Sequence, residues 1–285
     1  MPSVWMDTIQ RVVRAYPTRL PRVLYDRIAI DQRARRGDLL TDATVATCLG
    51  RLKLSAPGDL GQLREVAVAN AYALTGFIPR RGWTVVDAGA NLGCFSRWAM
   101  RTMHEGTIVA IEPVPAICAL LRHNVGPLAP RSCRGVVVHC LERAVARDTQ
   151  PLELLVPAGQ SGWTRAARSP DATESGFEFA PQDLTRIVVP AAPLDALVRD
   201  AVGEQPVDLL KVDIEGMEAE CFASGPRVLS HARRVVFEYH SQAQRAACTG
   251  ILQSHGLREC HHRPNPFNRE VGVTFFTRSD PSVGA

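Results

Sequence analysis

Two kinds of hydrophobic rhythm divide the chain. Trp5, Ile9, Val12, Val13 and Tyr16 recur at spacings of four, three, one and three, which puts them on one face of an amphipathic helix with arginines on its outer side. Pro17 and Pro21 end that helix. A second periodic stretch covers 24–30, and 63–75 reads as a third helix. Residues 1–80 thus predict a mainly helical N-terminal segment, suited to a lid, a dimer arm or packing. From residue 83 the rhythm changes to short, nearly continuous apolar runs: WTVVD (83–87), GTIVAIE (106–112), RGVVVHC (134–140), VDLLKVD (207–213) and RRVVFEYH (233–240). Helical stretches follow at 113–124, 194–202 and 216–224, with a further one running to residue 255.

Apolar strands alternating with helices mean a mostly parallel sheet covered on both faces. The expected fold of residues 81–278 is therefore α/β, a Rossmann-like doubly wound sheet. LELLV (152–156) and RIVVP (186–190) are further strand candidates around a polar loop at 157–180. LRECHH and VGVTFFT, separated by Pro264–Asn268, predict a C-terminal antiparallel hairpin, and 279–285 a disordered tail.

Composition adds exclusions. No run approaches the roughly 20 apolar residues of a membrane span, and Asp7 and Arg11 interrupt any signal-peptide core. The expectation is a cytoplasmic protein. Eight cysteines without a CxxC spacing read as buried thiols. Cys260, His261 and His262 alternate faces on a strand and so do not converge on a metal. Residues 1–40 carry eight Arg against four Asp, which is the whole net charge of +4. Such an arm can face nucleic acid or an anionic surface. Its aromatic interleaving is thin and no nucleic-acid module is recognisable, so no nucleic-acid partner is expected.

The chemistry should lie beyond the carboxyl ends of the strands, where open α/β sheets bind ligands. The first such end is VVDAGANLGCF (85–95): Asp87 closes the strand, Gly89 permits a tight turn, and Gly93 lets backbone approach a ligand. This DxGxNxG is not the GxGxxG of dinucleotide folds. An acid before the turn suits a positively charged ligand such as an amino acid's ammonium; the alternative is a turn capped by Asp and Asn. Glu112, 23 residues after Gly89, stands where a ribose hydroxyl pair is held, or serves only as a helix N-terminal carboxylate. A nucleoside with a cationic, amino-acid-like tail fits both ends, so S-adenosylmethionine fits better than NAD.

In LLKVDIEGMEAE (209–220), Lys211, Asp213 and Glu215 occupy alternate positions and project to one side of an extended strand. A buried lysine must pair with an acid or reach solvent. The acids either complete an ion pair and flank a helix N-terminus, or face a substrate. Paired carboxylates also admit Mg²⁺, although no feature of the sequence requires a metal. FEYH adds Glu238 and His240, the latter titratable near neutrality.

VVDAGANLG, VAIEPVPAICALLRHNV, PLDAL, VDLLKVDIEGMEAECFASG and VVFEYH, in this order, resemble the FkbM-type methyltransferase family over residues 64–262. These are class I S-adenosylmethionine-dependent enzymes that mostly methylate hydroxyls of natural products and sugars. The resemblance implies cofactor contact by Asp87, Gly89, Asn91 and Gly93, and ribose binding by Glu112. The adenine-side position falls near ERAVA, making Glu142 the candidate. The family's small polar pair after the alanine is Val145-Ala146 here. The implied activity is O-methylation of a small-molecule hydroxyl. Asp213 and His240 are the base candidates, with Lys211 and Glu215 orienting them or the substrate. N-methylation of an amide or amine is the alternative, as is a non-catalytic nucleotide- or surface-binding protein that keeps the fold. Acceptor contacts are expected from the 157–180 loop (Ser161, Trp163, Arg165, Arg168) and the N-terminal helices, which are also candidates for a homo-oligomer interface.

Overall fold

The computed structural model describes residues 43–278 except 57, 160, 169–180 and 266–267. The expected helices of residues 1–42, their arginine-rich face, their oligomer interface and the tail at 279–285 lie outside the described residues.

Within 43–80 the expectation of a mainly helical segment is corrected. Ala43–Thr47 (β1) and Gly50–Leu54 (β2) form an antiparallel hairpin. Leu52 and Leu54 alternate with Arg51 and Lys53, so the apolar side chains reach the core while the others do not. A helix at Asp59–Arg64 (α1) runs into a π-helical turn at Glu65–Ala69 and stops at Asn70, which is left-handed with φ 49°. The helix expected at 63–75 therefore starts earlier and ends earlier.

The remaining elements alternate as the apolar runs suggest. Trp83–Ala88 (β3), Cys94–Met103 (α2), Glu105–Ile111 (β4), Pro115–Val125 (α3) and Gly135–Leu141 (β5) form the first half. Short strands follow at Ala144–Val145 (β6), Leu152–Pro157 (β7), Arg165–Ala166 (β8), Leu184–Val189 (β9) and Ala191–Ala192 (β10). The second half comprises Leu194–Val202 (α4), Leu209–Val212 (β11), Glu218–Ala223 (α5), Pro226–His231 (α6), Arg234–Tyr239 (β12), Gln242–Ser254 (α7), Leu257–Pro264 (β13) and Gly272–Arg278 (β14).

The main sheet has the order β13-β14-β12-β11-β3-β4-β5. Pairing is parallel from β12 across to β5, and β14 runs antiparallel to both its neighbours. Successive residues point into different cores. Val85, Leu209 and Val236 join a cluster with α2, α3 and the β1–β2 hairpin, whereas Val86, Leu210 and Val235 join one with α4 to α7. Burial on both faces is why these strands read as unbroken apolar runs. Strand order reverses between β3 and β11, and the crevice beyond their carboxyl ends is where such a sheet binds ligands. A small sheet of β8-β7-β9 stands over that end and lends Leu152, Leu154 and Ala166 to the crevice wall.

Candidate active site

At the strand-order reversal the chain brings two backbones unusually close. Gly89 has φ +77°, and a Cβ there would lie 1.7 Å from the Asp213 carbonyl oxygen. Only glycine lets the loop after β3 pass beneath the loop after β11. Asp213 continues the sheet by donating its amide to Ala88 O at 3.1 Å. The buried Lys211 ammonium fills the space between the loops. It donates to Gly89 O at 2.8 Å and lies 3.2 Å from Asp87 Oδ1 and 3.4 Å from Asp213 Oδ2. Burial alone would lower its pKa, but Asp87 and Asp213 outweigh this and hold it above the ordinary lysine value.

Several expected site residues sit apart from the crevice or in another local geometry. Asp87 is fully buried, accepts a hydrogen bond from Ser96 Oγ at 2.7 Å and pairs with Lys211. It stands behind the crevice wall, among the lining residues of neither cleft. Gly93 turns its Cα toward α3, where a Cβ would meet Leu121 Cδ1 at 2.8 Å, and it lines neither cleft. Glu142 points out to Arg122 at 2.8 Å, while its neighbours Arg143, Ala144 and Val145 line the crevice. The strand alternation of Lys211, Asp213 and Glu215 also stops short. β11 ends at Val212, and Glu215 is left-handed with φ 52°. That turn is held by Glu218, whose carboxylate accepts from Ile214 N at 2.9 Å and Gly216 N at 3.1 Å. Helix α5 accordingly starts at Glu218, beyond the two acids expected to flank it.

Two clefts open on this framework. The first, of about 640 Å³, is lined by Gly89, Asn91, Glu112, Asp213 and Glu215 among the expected site residues. Glu112 is tied down at both oxygens, accepting from Asn91 N at 3.0 Å and Val114 N at 2.9 Å. Burial pushes its pKa up to about 7, against the opposing pull of these amides and of Lys211. Ile111, Leu152, Leu154 and Met217 give this cleft apolar walls.

The second cleft, of about 970 Å³, shares Gln62, Gly162, Asp213 and Glu215 with the first and adds Glu65, Trp163, Glu238 and His240. Its inner wall is a network of acids. Tyr72 Oη donates to Asp213 Oδ2 at 3.0 Å and lies 3.3 Å from Glu238 Oε2. One phenolic proton serves the two acids unequally, so a proton on Glu238 would complete the contact. Burial, with the charges of Glu65 and Asp213, raises Glu238 well above the ordinary carboxylate range and makes it the natural holder. Burial and Asp213 raise Glu65 to about 7. Glu215 rises to about 8, chiefly through burial, although His240 pulls it down.

Residues 87–263 match the model of the methyltransferase FkbM domain. The chain belongs to this family. An FkbM methyltransferase domain draws its methyl group from S-adenosylmethionine, and the donor set of the first cleft suits that molecule: a fixed carboxylate for paired hydroxyls and apolar walls for a base. The AMB antimetabolite synthetase AmbE of Pseudomonas aeruginosa is 24% identical over 219 residues, 68% of this chain and 10% of that protein. The 2-O-methyltransferase NoeI of Sinorhizobium fredii is 26% identical over 158 residues, 55% of this chain and 63% of that one. The chain thus spans less than two thirds of either relative's length. Among solved structures, Aeropyrum pernix fibrillarin with natively bound S-adenosyl-L-methionine is 13% identical, covering 75% of this chain and 74% of that one at a TM-score of 0.44. Among the described residues no helix is long and apolar enough to cross a membrane.

Of the loop residues expected at the acceptor, Trp163 reaches the second cleft, while Arg168 pairs with Glu220 on the surface. Sequence reasoning missed Gln62, Glu65 and Tyr72, which come from the segment before the sheet and match no motif. Glu218 was missed as well, lying inside the helix expected at 216–224. Its place three residues after a left-handed turn is the signal that points to its role in holding that turn.

Proposed function

We propose that this FkbM domain transfers a methyl group from S-adenosylmethionine to a hydroxyl of a natural product or sugar. The observation that carries this reading is the meeting of the two clefts at Asp213 and Glu215. In this reading the first cleft takes the cofactor. Glu112 accepts the ribose hydroxyls, Gly89 and Asn91 supply the floor, and Arg143 to Val145 border the adenine. The second cleft takes the acceptor, with Trp163 and Gln62 at its mouth. When bound, S-adenosylmethionine supplies a methyl carbon that is already electrophilic, so alignment across the shared wall contributes most.

A neutral alcohol remains a weak nucleophile, and its proton must go to a base as the oxygen–carbon bond forms. Asp213 and His240 stand where that proton would leave. The His240 imidazole lies 4.0 Å from Asp213, 3.8 Å from Glu215 and 3.7 Å from Glu218, so a proton taken up there would be faced by three carboxylates. Lys211 orients Asp213, and Glu215 orients the ring. An acceptor cleft walled by acids favours ligands rich in hydrogen-bond donors, as polyols are. The name of the 2-O-methyltransferase NoeI points the same way. The test is release of S-adenosylhomocysteine with a panel of hydroxylated acceptors. Asp213→Asn is expected to lower turnover by about 10²–10⁴-fold, with a far smaller effect on cofactor affinity. Unimpaired turnover in that variant would remove Asp213 from the proton's path.

A further inference from the structure

The His240 imidazole faces three carboxylates, at 4.0 Å from Asp213, 3.8 Å from Glu215 and 3.7 Å from Glu218. Charge-assisted hydrogen bonds between an imidazole and a carboxylate close to about 2.7–2.9 Å. Here Nε2 stands 4.0 Å from Asp213 Oδ1 and 3.7 Å from Glu218 Oε1. One ligand atom from each of the three residues lies within 4.8 Å of the other two. Metal–nitrogen and metal–oxygen bonds of about 2.0–2.2 Å allow two ligands of one ion to be at most about 4.4 Å apart. Both His240 separations satisfy that limit as they stand.

The surroundings are those of a built site. The Glu218 side chain is fully buried, and those of Asp213 and His240 are 11% exposed. Glu218 is fixed from behind by Ile214 N, Gly216 N and the Gln244 amide, and Gln244 in turn accepts from His240 N at 2.7 Å. Asp213 is fixed by Tyr72 and Lys211 through Oδ2, which leaves Oδ1 on the His240 side. Such outer partners are what orient metal ligands.

We propose that Asp213, Glu218 and His240 bind one divalent first-row cation at the floor of the second cleft. Two carboxylates with one imidazole suit Mn²⁺, Fe²⁺ or Zn²⁺ better than Mg²⁺, which takes oxygen donors. The coordination side facing the cleft is open to an oxygen ligand. The consequence for catalysis rests on the acceptor occupying that cleft. A hydroxyl held by the ion would be more acidic, and in that case Asp213 and His240 would position it as ligands while its proton passes to Glu215, the carboxylate lining both clefts that is not a ligand, as the oxygen–carbon bond forms and the carbon–sulfur bond breaks.

The experiment uses the full chain after chelation, titrated with Mn²⁺ followed by electron paramagnetic resonance and with Zn²⁺ by calorimetry. S-adenosylhomocysteine binding is measured on every sample. The expected result is one saturable ion per chain for at least one of the two metals. His240→Ala and Glu218→Gln should each weaken it by more than about tenfold, and His240→Ala should still bind S-adenosylhomocysteine. A sample that binds S-adenosylhomocysteine but neither ion, or a His240→Ala variant that holds the ion as tightly as the parent, overturns the site. A sample that binds the ion but not S-adenosylhomocysteine supports the site and counts against the methyltransferase reading alone.

Discussion

Burial sets the charge of Glu112 so that cofactor affinity should follow pH. Its carboxyl, held at about 7, is largely protonated in mildly acidic solution, although a free glutamate would already be ionised. Only the carboxylate accepts hydrogen bonds from both ribose hydroxyls, so the competent fraction rises as pH rises through that value. Between about pH 6 and about pH 8, affinity for S-adenosylhomocysteine should increase by about tenfold, and Glu112→Gln should bind weakly with this dependence flattened. Calorimetric titration at several pH values checks it. Lys211 carries a different burden, because its ammonium compensates two buried acids. Lys211→Met leaves Asp87 and Asp213 uncompensated and should cost about 3–5 kcal/mol, read as a lowered urea midpoint. These strand-end residues were legible because charge interrupts an apolar run at each position. Tyr72 and Glu65 were not, since they reach the same acids from a π-helical turn at Glu65–Ala69 and the short turn after it, whose spacing resembles nothing in particular. The direction of Glu142 was not legible either: just past the end of β5 its side chain turns out to Arg122, and no pattern marks that turn.

The two glycines of DxGxNxG look equivalent in the sequence and do different things in their loop. Both have positive φ, so alanine at either should cost about 1–3 kcal/mol in backbone strain. At Gly89 the added Cβ would strike backbone, the carbonyl of Asp213, and the loops after β3 and β11 would have to part. At Gly93 it would meet the tip of Leu121, a side chain that can move. Gly89→Ala should therefore abolish S-adenosylhomocysteine binding, while Gly93→Ala lowers the melting temperature but keeps a binding cleft. Thermal unfolding with and without S-adenosylhomocysteine separates the two. Most strands were readable because burial on both faces writes them as unbroken apolar runs. The β1–β2 hairpin was not, because its strands are only five residues each and alternate with Arg51 and Lys53 on the outer side. Helix α5 begins late because the chain first needs the left-handed turn at Glu215 and Gly216, for which the alternation of charges gave no warning.

Across the whole molecule, the reversal of strand order between β3 and β11 gathers the separate motifs into one place. Asp87 and Asn91 come from one side of that reversal, Lys211 and Asp213 from the other, and Glu112 from the next strand outward. The β7–β9 sheet and the segment around Gln62 then close the crevice from above, dividing it into two clefts that share a wall. Everything proposed about the reaction depends on the first cleft being the cofactor's. The most direct test is calorimetric titration of the protein with S-adenosylhomocysteine, with NAD as the control ligand. The account predicts saturable binding of S-adenosylhomocysteine, none of NAD, and loss of binding in a folded Glu112→Ala variant. A well-folded protein that ignores S-adenosylhomocysteine, or a Glu112→Ala variant that binds it undiminished, would contradict it.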